Sequence, residues 1–154
     1  MTTDADIHAI ERLQRHYAKL NDEARWDEVA ALFTEDARFI RPTAPDRPIV
    51  GRAAILQSFL ERPAGATRRH LVANPEVELI DEDNARATCF SILLVERDAA
   101  GGTVTVGGFE DRLRRTAGGW RFASRTGFTD FDAVPFTRRS TPSTTTPGHS
   151  VQQP

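Results

Sequence analysis

Three side chains in this sequence of 154 residues have the types and spacing for proton chemistry: Tyr17, Asp22 and His70. An imidazole titrates near neutral pH and can give or take a proton there, so His70 is the first candidate for general acid/base work. Tyr17 lies on the apolar stripe of an amphipathic stretch, and Asp22 follows five residues later at its exit. Both can therefore face one end of a concavity, where a hydroxyl and a carboxylate would share a site. Each residue also has a structural reading: Tyr17 as a core aromatic, Asp22 as a solvated turn residue, and His70 as a strand residue that is satisfied locally or solvated. His8 and His16 fall on polar faces of the first helix and His149 in the tail, where solvation explains them. No HxH, HExxH or acidic cluster has metal-ligand spacing, and no glycine-rich phosphate loop follows a strand, so neither a metal nor a cofactor is expected. A serine elbow or a nucleophilic cysteine context is likewise missing.

The elements that must position these groups are legible from periodicity. Ile7, Ile10, Leu13, Tyr17 and Leu20 recur at three- and four-residue steps, which predicts a helix from Thr3 to Leu20. Trp26, Val29, Ala30 and Phe33 repeat the pattern in a second, shorter helix, with Asp27 and Glu28 complementing its N-terminal dipole. A β-like segment, Ala37 to Ile40, leads into an expected loop holding Pro42, Pro45 and Pro48. Gly51 then opens a third helix that Pro63 and Gly65 close. Beyond it the period changes to two. His70 is expected to open a strand in the phase of Val72 and Asn74, Val77 and Leu79 alternate with glutamates, and Ala85 to Val95 is a long β-prone run. Thr103–Arg114 and Trp120–Phe128 follow glycine turns, predicting an antiparallel meander, with a bulge at Gly107-Gly108 to curve it. The fold class expected is α+β: N-terminal helices packed on a strongly curved antiparallel sheet, a cone-shaped α+β barrel whose pocket is the default ligand site. The domain is placed at residues 1–134. Residues 135–154 are expected to form a disordered tail, because the Thr-, Ser-, Pro- and Gln-rich end cannot pack a core.

Composition narrows the function classes. A net charge of −2 with interspersed signs gives no footprint for nucleic acid. No run reaches the roughly 20 apolar residues of a membrane span, and the N-terminus lacks a secretory layout, so a cytoplasmic protein is expected. The single cysteine, Cys89, cannot form an internal disulfide and reads as a small buried hydrophobe.

The stretches Tyr17–Asp27, Leu32–Ala37, Gly51-Arg52, Arg69–Asn74, Gly108–Asp111 and Gly119–Phe122, in this order and spacing, resemble SnoaL-like domain proteins of the nuclear transport factor 2-like superfamily. The resemblance covers about residues 5–130. Its nearest functional parallels are eliminating lyases: bile-acid 7α-dehydratase, scytalone dehydratase and hexachlorocyclohexane dehydrochlorinase. It implies a cofactor-free enzyme in which Asp22 and His70 form a base dyad, Tyr17 donates a hydrogen bond, and Arg125 assists a leaving group. Trp26, Phe39, Phe59, Phe109 and Phe128 would line a pocket for a small hydrophobic cyclic substrate. Phe109 stands where several relatives carry tyrosine. The resemblance also leaves room for a polyketide cyclase-like or epoxide-processing enzyme, or for a non-catalytic binding or assembly module, and it implies a homo-oligomer, dimer or trimer.

Overall fold

The computed structural model describes residues 3–63, 65–98 and 100–137. Helix α1 (Thr3–Asp22) buries Ile10, Leu13, Tyr17 and Leu20, the stripe that its periodicity marks, and it buries Gln14 along with them. The helix stops where Ala24 takes a left-handed conformation (φ 55°) and the Arg25 N–H reaches back to the Leu20 carbonyl. That conformation satisfies the last carbonyls of a helix and redirects the chain, leaving Asp22 on its final turn. Helix α2 (Trp26–Ala31) and helix α3 (Arg52–Leu60) add Val29, Ile55 and Phe59 to the same core.

Among the described residues, seven strands make one open sheet: β1 (Phe33–Arg41), β2 (Ala44–Val50), β3 (Thr67–Leu79), β4 (Asn84–Asp98), β5 (Gly101–Thr116), β6 (Gly119–Thr129) and β7 (Val134–Thr137). Their order is β2-β1-β6-β5-β4-β3, with β7 paired to the start of β5 beyond the end of β6. Strands β3 to β6 form the antiparallel meander. The sheet as a whole is mixed rather than antiparallel, because β1 runs parallel to β6. After the two N-terminal helices the chain enters the sheet beside its last long strand and in the same direction, which no local sequence signal specifies.

Other expectations are corrected by the strand pairing. The segment with Pro45 and Pro48 is strand β2, antiparallel to β1. It lies at the edge of the sheet, where a residue without an N–H costs no ladder bond on the open side. Val134–Thr137 continues the ordered chain three residues past the boundary set at 134, and residues 138–154 of the expected tail lie outside the described residues. Gly107 and Gly108 keep regular register with β4 and β6, so no bulge sits there. Glycine is needed because a Cβ on Gly108 would collide with the Cys89 carbonyl and lie 2.7 Å from the Phe128 ring. Cys89 itself is a buried free thiol.

The irregularities that do curve the sheet lie elsewhere. In β3 the register with β4 shifts between Ala73 and Glu76, where Asn74 has φ 49°. Upstream the inward residues are Arg68, His70 and Val72; downstream they are Pro75, Val77 and Leu79, while Asn74 is exposed. One extra residue reverses the side-chain phase of a strand, and a bulge absorbs it. His70 and Val77 can therefore face the same core. In β6 a similar skip at Ala123 puts Trp120 and Phe122 inside on one phase and Arg125 and Gly127 inside on the other. Helix α1 is tied across this sheet at its start, where Asp6 accepts from the Trp120 indole (3.0 Å) and pairs with Arg115 (2.7 Å).

Candidate active site

The last turn of α1 meets the first half of β3, and there Asp22 and His70 touch. The Asp22 carboxylate takes two hydrogen bonds from one residue: Oδ2 from the His70 backbone N–H (2.9 Å) and Oδ1 from the ring Nδ1 (2.6 Å). A carboxylate can only accept, so Nδ1 carries a proton, and in the neutral ring Nε2 keeps its lone pair. Both side chains are largely withdrawn from water, with 12% and 9% of their surface left exposed. Burial holds the His70 pKa below its ordinary 6.5; Asp22 pulls it upward, and the Arg62 and Arg125 cations push it down further.

His70 lines a cavity of about 300 Å³ between α1, the end of α3 and the inner face of the sheet. Tyr17, Phe39, Phe109 and Phe128 line the same space. The Tyr17 ring is packed edge-on against Phe33, Phe109 and Phe122, and burial raises its phenol above the ordinary value, opposed by Arg125, Arg62 and Asn21. A second, more open depression is lined by Asp22, Glu23 and again His70. The Asp22–His70 pair thus forms part of the wall between cavity and surface.

Three of the expected site residues stand elsewhere. Trp26 and Phe59 stack on each other at 5.5 Å, and neither is on the cavity lining. Arg125 has no exposed surface; it pairs with buried Asp111 at 2.8 Å, and its guanidinium lies 3.8 Å from the centroid of Phe109 and 4.2 Å from that of Tyr17. Asp111 also accepts from Gln14 (3.0 Å). Burial raises the Asp111 pKa, and Arg125 and Gln14 offset part of that rise. Arg125 therefore lies under the aromatic floor of the cavity, one ring away from its contents.

Sequence reasoning missed Asn21, Arg41, Arg62, Arg68 and Ser91, all of which line the cavity. Two of them carried a signal. Asn21 is four residues from Tyr17 on α1, hence on the same face, and Arg68 shares the strand phase of His70. Arg62 follows α3 and Arg41 ends β1, and only the tertiary fold brings these together. Among the described residues, no group of three or more His, Cys, Asp or Glu side chains is placed to hold a metal ion. None of the described helices is long and apolar enough to cross a membrane.

A SnoaL-like domain model matches residues 3–126, most of the chain, from α1 into β6. The chain belongs to the SnoaL-like domain family. Solved structures place this SnoaL-like chain among nuclear transport factor 2-like folds. A scytalone dehydratase candidate from Novosphingobium aromaticivorans is 21% identical, with a TM-score of 0.75 over 90% of this chain and 95% of the other. A Catenulispora acidiphila protein solved in complex with S-DNPA is 28% identical, with a TM-score of 0.69 over 83% of this chain and 96% of the other. The β subunit of a candidate aromatic-ring-hydroxylating dioxygenase from N. aromaticivorans is 19% identical, with a TM-score of 0.68 over 83% and 91%. No curated protein matches the sequence. Dehydratase-like and ring-hydroxylase-subunit relatives thus share one fold, and function has to be argued from the site.

Proposed function

We propose that this SnoaL-like protein is a cofactor-independent acid/base enzyme, a dehydratase-like lyase or an isomerase, acting on a small cyclic substrate in the cavity. The observation that carries the reading is the double grip of Asp22 on His70. An imidazole whose Nδ1–H is held by a carboxylate has its tautomer and orientation set, with Nε2 free to accept a proton. His70 is the base that removes a proton from carbon next to an activating group. The proton moves to Nε2 and the C–H electron pair forms a double bond; in an elimination a β leaving group departs with its own bonding pair, and in an isomerisation an adjacent substrate double bond shifts and the imidazolium returns the proton to its far carbon. Asp22 stabilises the imidazolium formed. Tyr17 donates a hydrogen bond to the developing oxyanion or the departing hydroxyl. Such a donor in a water-poor site contributes about 3–4 kcal/mol to the transition state.

In this proposal Arg125 acts at one remove, holding the Tyr17 and Phe109 rings through its buried pair with Asp111 rather than meeting the leaving group. Phe39, Phe109 and Phe128 supply apolar walls for a ring.

The reading is tested by incubating the protein in D₂O with a panel of cyclic β-hydroxy ketones and following deuterium uptake at carbon and loss of water by mass spectrometry. Exchange or elimination that disappears in His70→Ala is the expected result. Turnover that survives in His70→Ala, or a wild-type protein inert on every member of the panel, counts against it.

A further inference from the structure

The cavity's charge is one-sided. Arg41, Arg62 and Arg68 line it, and among the described residues no aspartate or glutamate does. Some guanidinium groups elsewhere find carboxylates, among them Arg25, Arg52, Arg114, Arg115 and the fully buried Arg125, while Arg69 and Arg121 donate to backbone carbonyls. The three cavity arginines also pair with neutral groups. Arg41 donates from Nη2 to the Ser58 carbonyl (2.8 Å), Arg62 from Nη1 to Asn21 Oδ1 (2.8 Å), and Arg68 from Nη1 to the Ala66 carbonyl (3.4 Å). Residues 138–154 include no aspartate or glutamate.

Two further donors are left over in the same place. Arg41 Nε and Asn21 Nδ2 are buried with no partner, and Asn21 is only 2% exposed. Arg62 is held over the Phe59 ring at 4.3 Å and near Trp26 at 5.5 Å, which fixes the plane of its guanidinium. Withdrawing cations from water without a counter-charge, and donors such as Arg41 Nε without an acceptor, is costly, and an anion that enters the site offsets that cost.

We infer that the cavity takes a substrate with a carboxylate on an apolar ring, the carboxylate bound by Arg41, Arg62 and the Asn21 amide and the ring lying against Phe39, Phe109 and Phe128. Guanidinium groups match planar carboxylates in pairs of parallel hydrogen bonds, which sets orientation as well as affinity. His70 borders the same space, so an anchored carboxylate would fix which carbon of the ring faces the base. This inference rests on the reading of the cavity as a substrate site, but its test needs no turnover.

The test titrates two probes of similar shape, 1-naphthoate and the neutral 1-naphthamide, into the full-length protein near neutral pH, followed by ligand-observed NMR. The naphthoate is expected to bind at least about tenfold more tightly than the amide, as for a charge-assisted pair, with the preference shrinking as salt is added. The preference should be lost in an Arg41→Gln, Arg62→Gln double variant, largely kept in Arg41→Lys, and kept in His70→Ala. An amide bound as tightly as the naphthoate, or no detectable binding of the naphthoate at millimolar concentration, overturns the inference. The two readings fail separately. A carboxylate preference together with full turnover in His70→Ala removes the acid/base mechanism and leaves the anion site. A missing preference with an inactive His70→Ala does the reverse.

Discussion

Asp22 binds His70 twice, through the backbone N–H at 2.9 Å and the ring Nδ1 at 2.6 Å, so one carboxylate sets both the position of a strand residue and the tautomer of its ring. The contact joins the last turn of α1 to β3 across 48 residues of sequence. It makes the geometry of the proposed base depend on helix–sheet docking rather than on a local turn.

Removing either member should separate activity from stability. His70→Ala and Asp22→Asn are expected to keep the native circular dichroism spectrum while turnover of any substrate found falls by about 10²–10⁴-fold, the usual share of a general base. Asp22→Asn offers one acceptor oxygen to two donors, the backbone N–H and Nδ1–H, so its loss should come from a displaced ring tautomer as well as from the unstabilised imidazolium.

The pH profile has a defined sign. A base works when deprotonated, and burial holds the His70 pKa below 6.5, so kcat/KM should be level through neutral pH and decline only as pH falls past that lowered value. Because Asp22 pulls the pKa upward, Asp22→Asn should move the acid limb to still lower pH. An acid limb above 6.5 in the wild type would assign it to another group.

Tyr17→Phe removes one hydroxyl and leaves the packing of the ring against Phe33, Phe109 and Phe122 in place. Stability should change by no more than about 1–2 kcal/mol, while kcat falls about 10²–10³-fold if the hydroxyl meets developing charge. An unchanged kcat would return Tyr17 to a purely structural role.

The Arg125–Asp111 pair is a structural prediction. Breaking it from one side, with Arg125→Met or Asp111→Leu, leaves an uncompensated charge in the core and should cost about 3–5 kcal/mol in urea unfolding. The double variant should recover most of that loss, since apolar replacement of both partners is often neutral. Full activity in a folded double variant would confine Arg125 to support of the cavity floor.

Much of this fold can be read from periodicity. The α1 stripe, the change from helical to alternating pattern near residue 67, and the glycine turns of the meander follow from local chemistry. The parallel β1–β6 pairing and the edge strand β2 do not, because pairing partners are chosen by tertiary contacts and prolines mimic a loop. For the candidate site, residue type and phase leave Tyr17, Asp22 and His70 each with a structural reading as well, and it is the resemblance that joins Asp22 to His70, which the fold brings into contact. His70 and Val77 face one core only because of the bulge at Asn74, an irregularity that alternation alone would assign to the wrong face. Gln14, Arg41 and Arg62 read as ordinary surface polar residues. Their burial is decided by neighbours far away in sequence: Gln14 meets Asp111, Arg41 meets Ser58, and Arg62 meets Asn21.

The most direct test of the account is an NMR titration of the His70 imidazole in the ligand-free wild type and in Asp22→Asn. A wild-type pKa below 6.5 that drops further in the variant would show the carboxylate and the ring acting as one unit poised to accept a proton. Identical titrations in the two proteins would mean that Asp22 does not govern the protonation of His70, and the proposed base would lose its support.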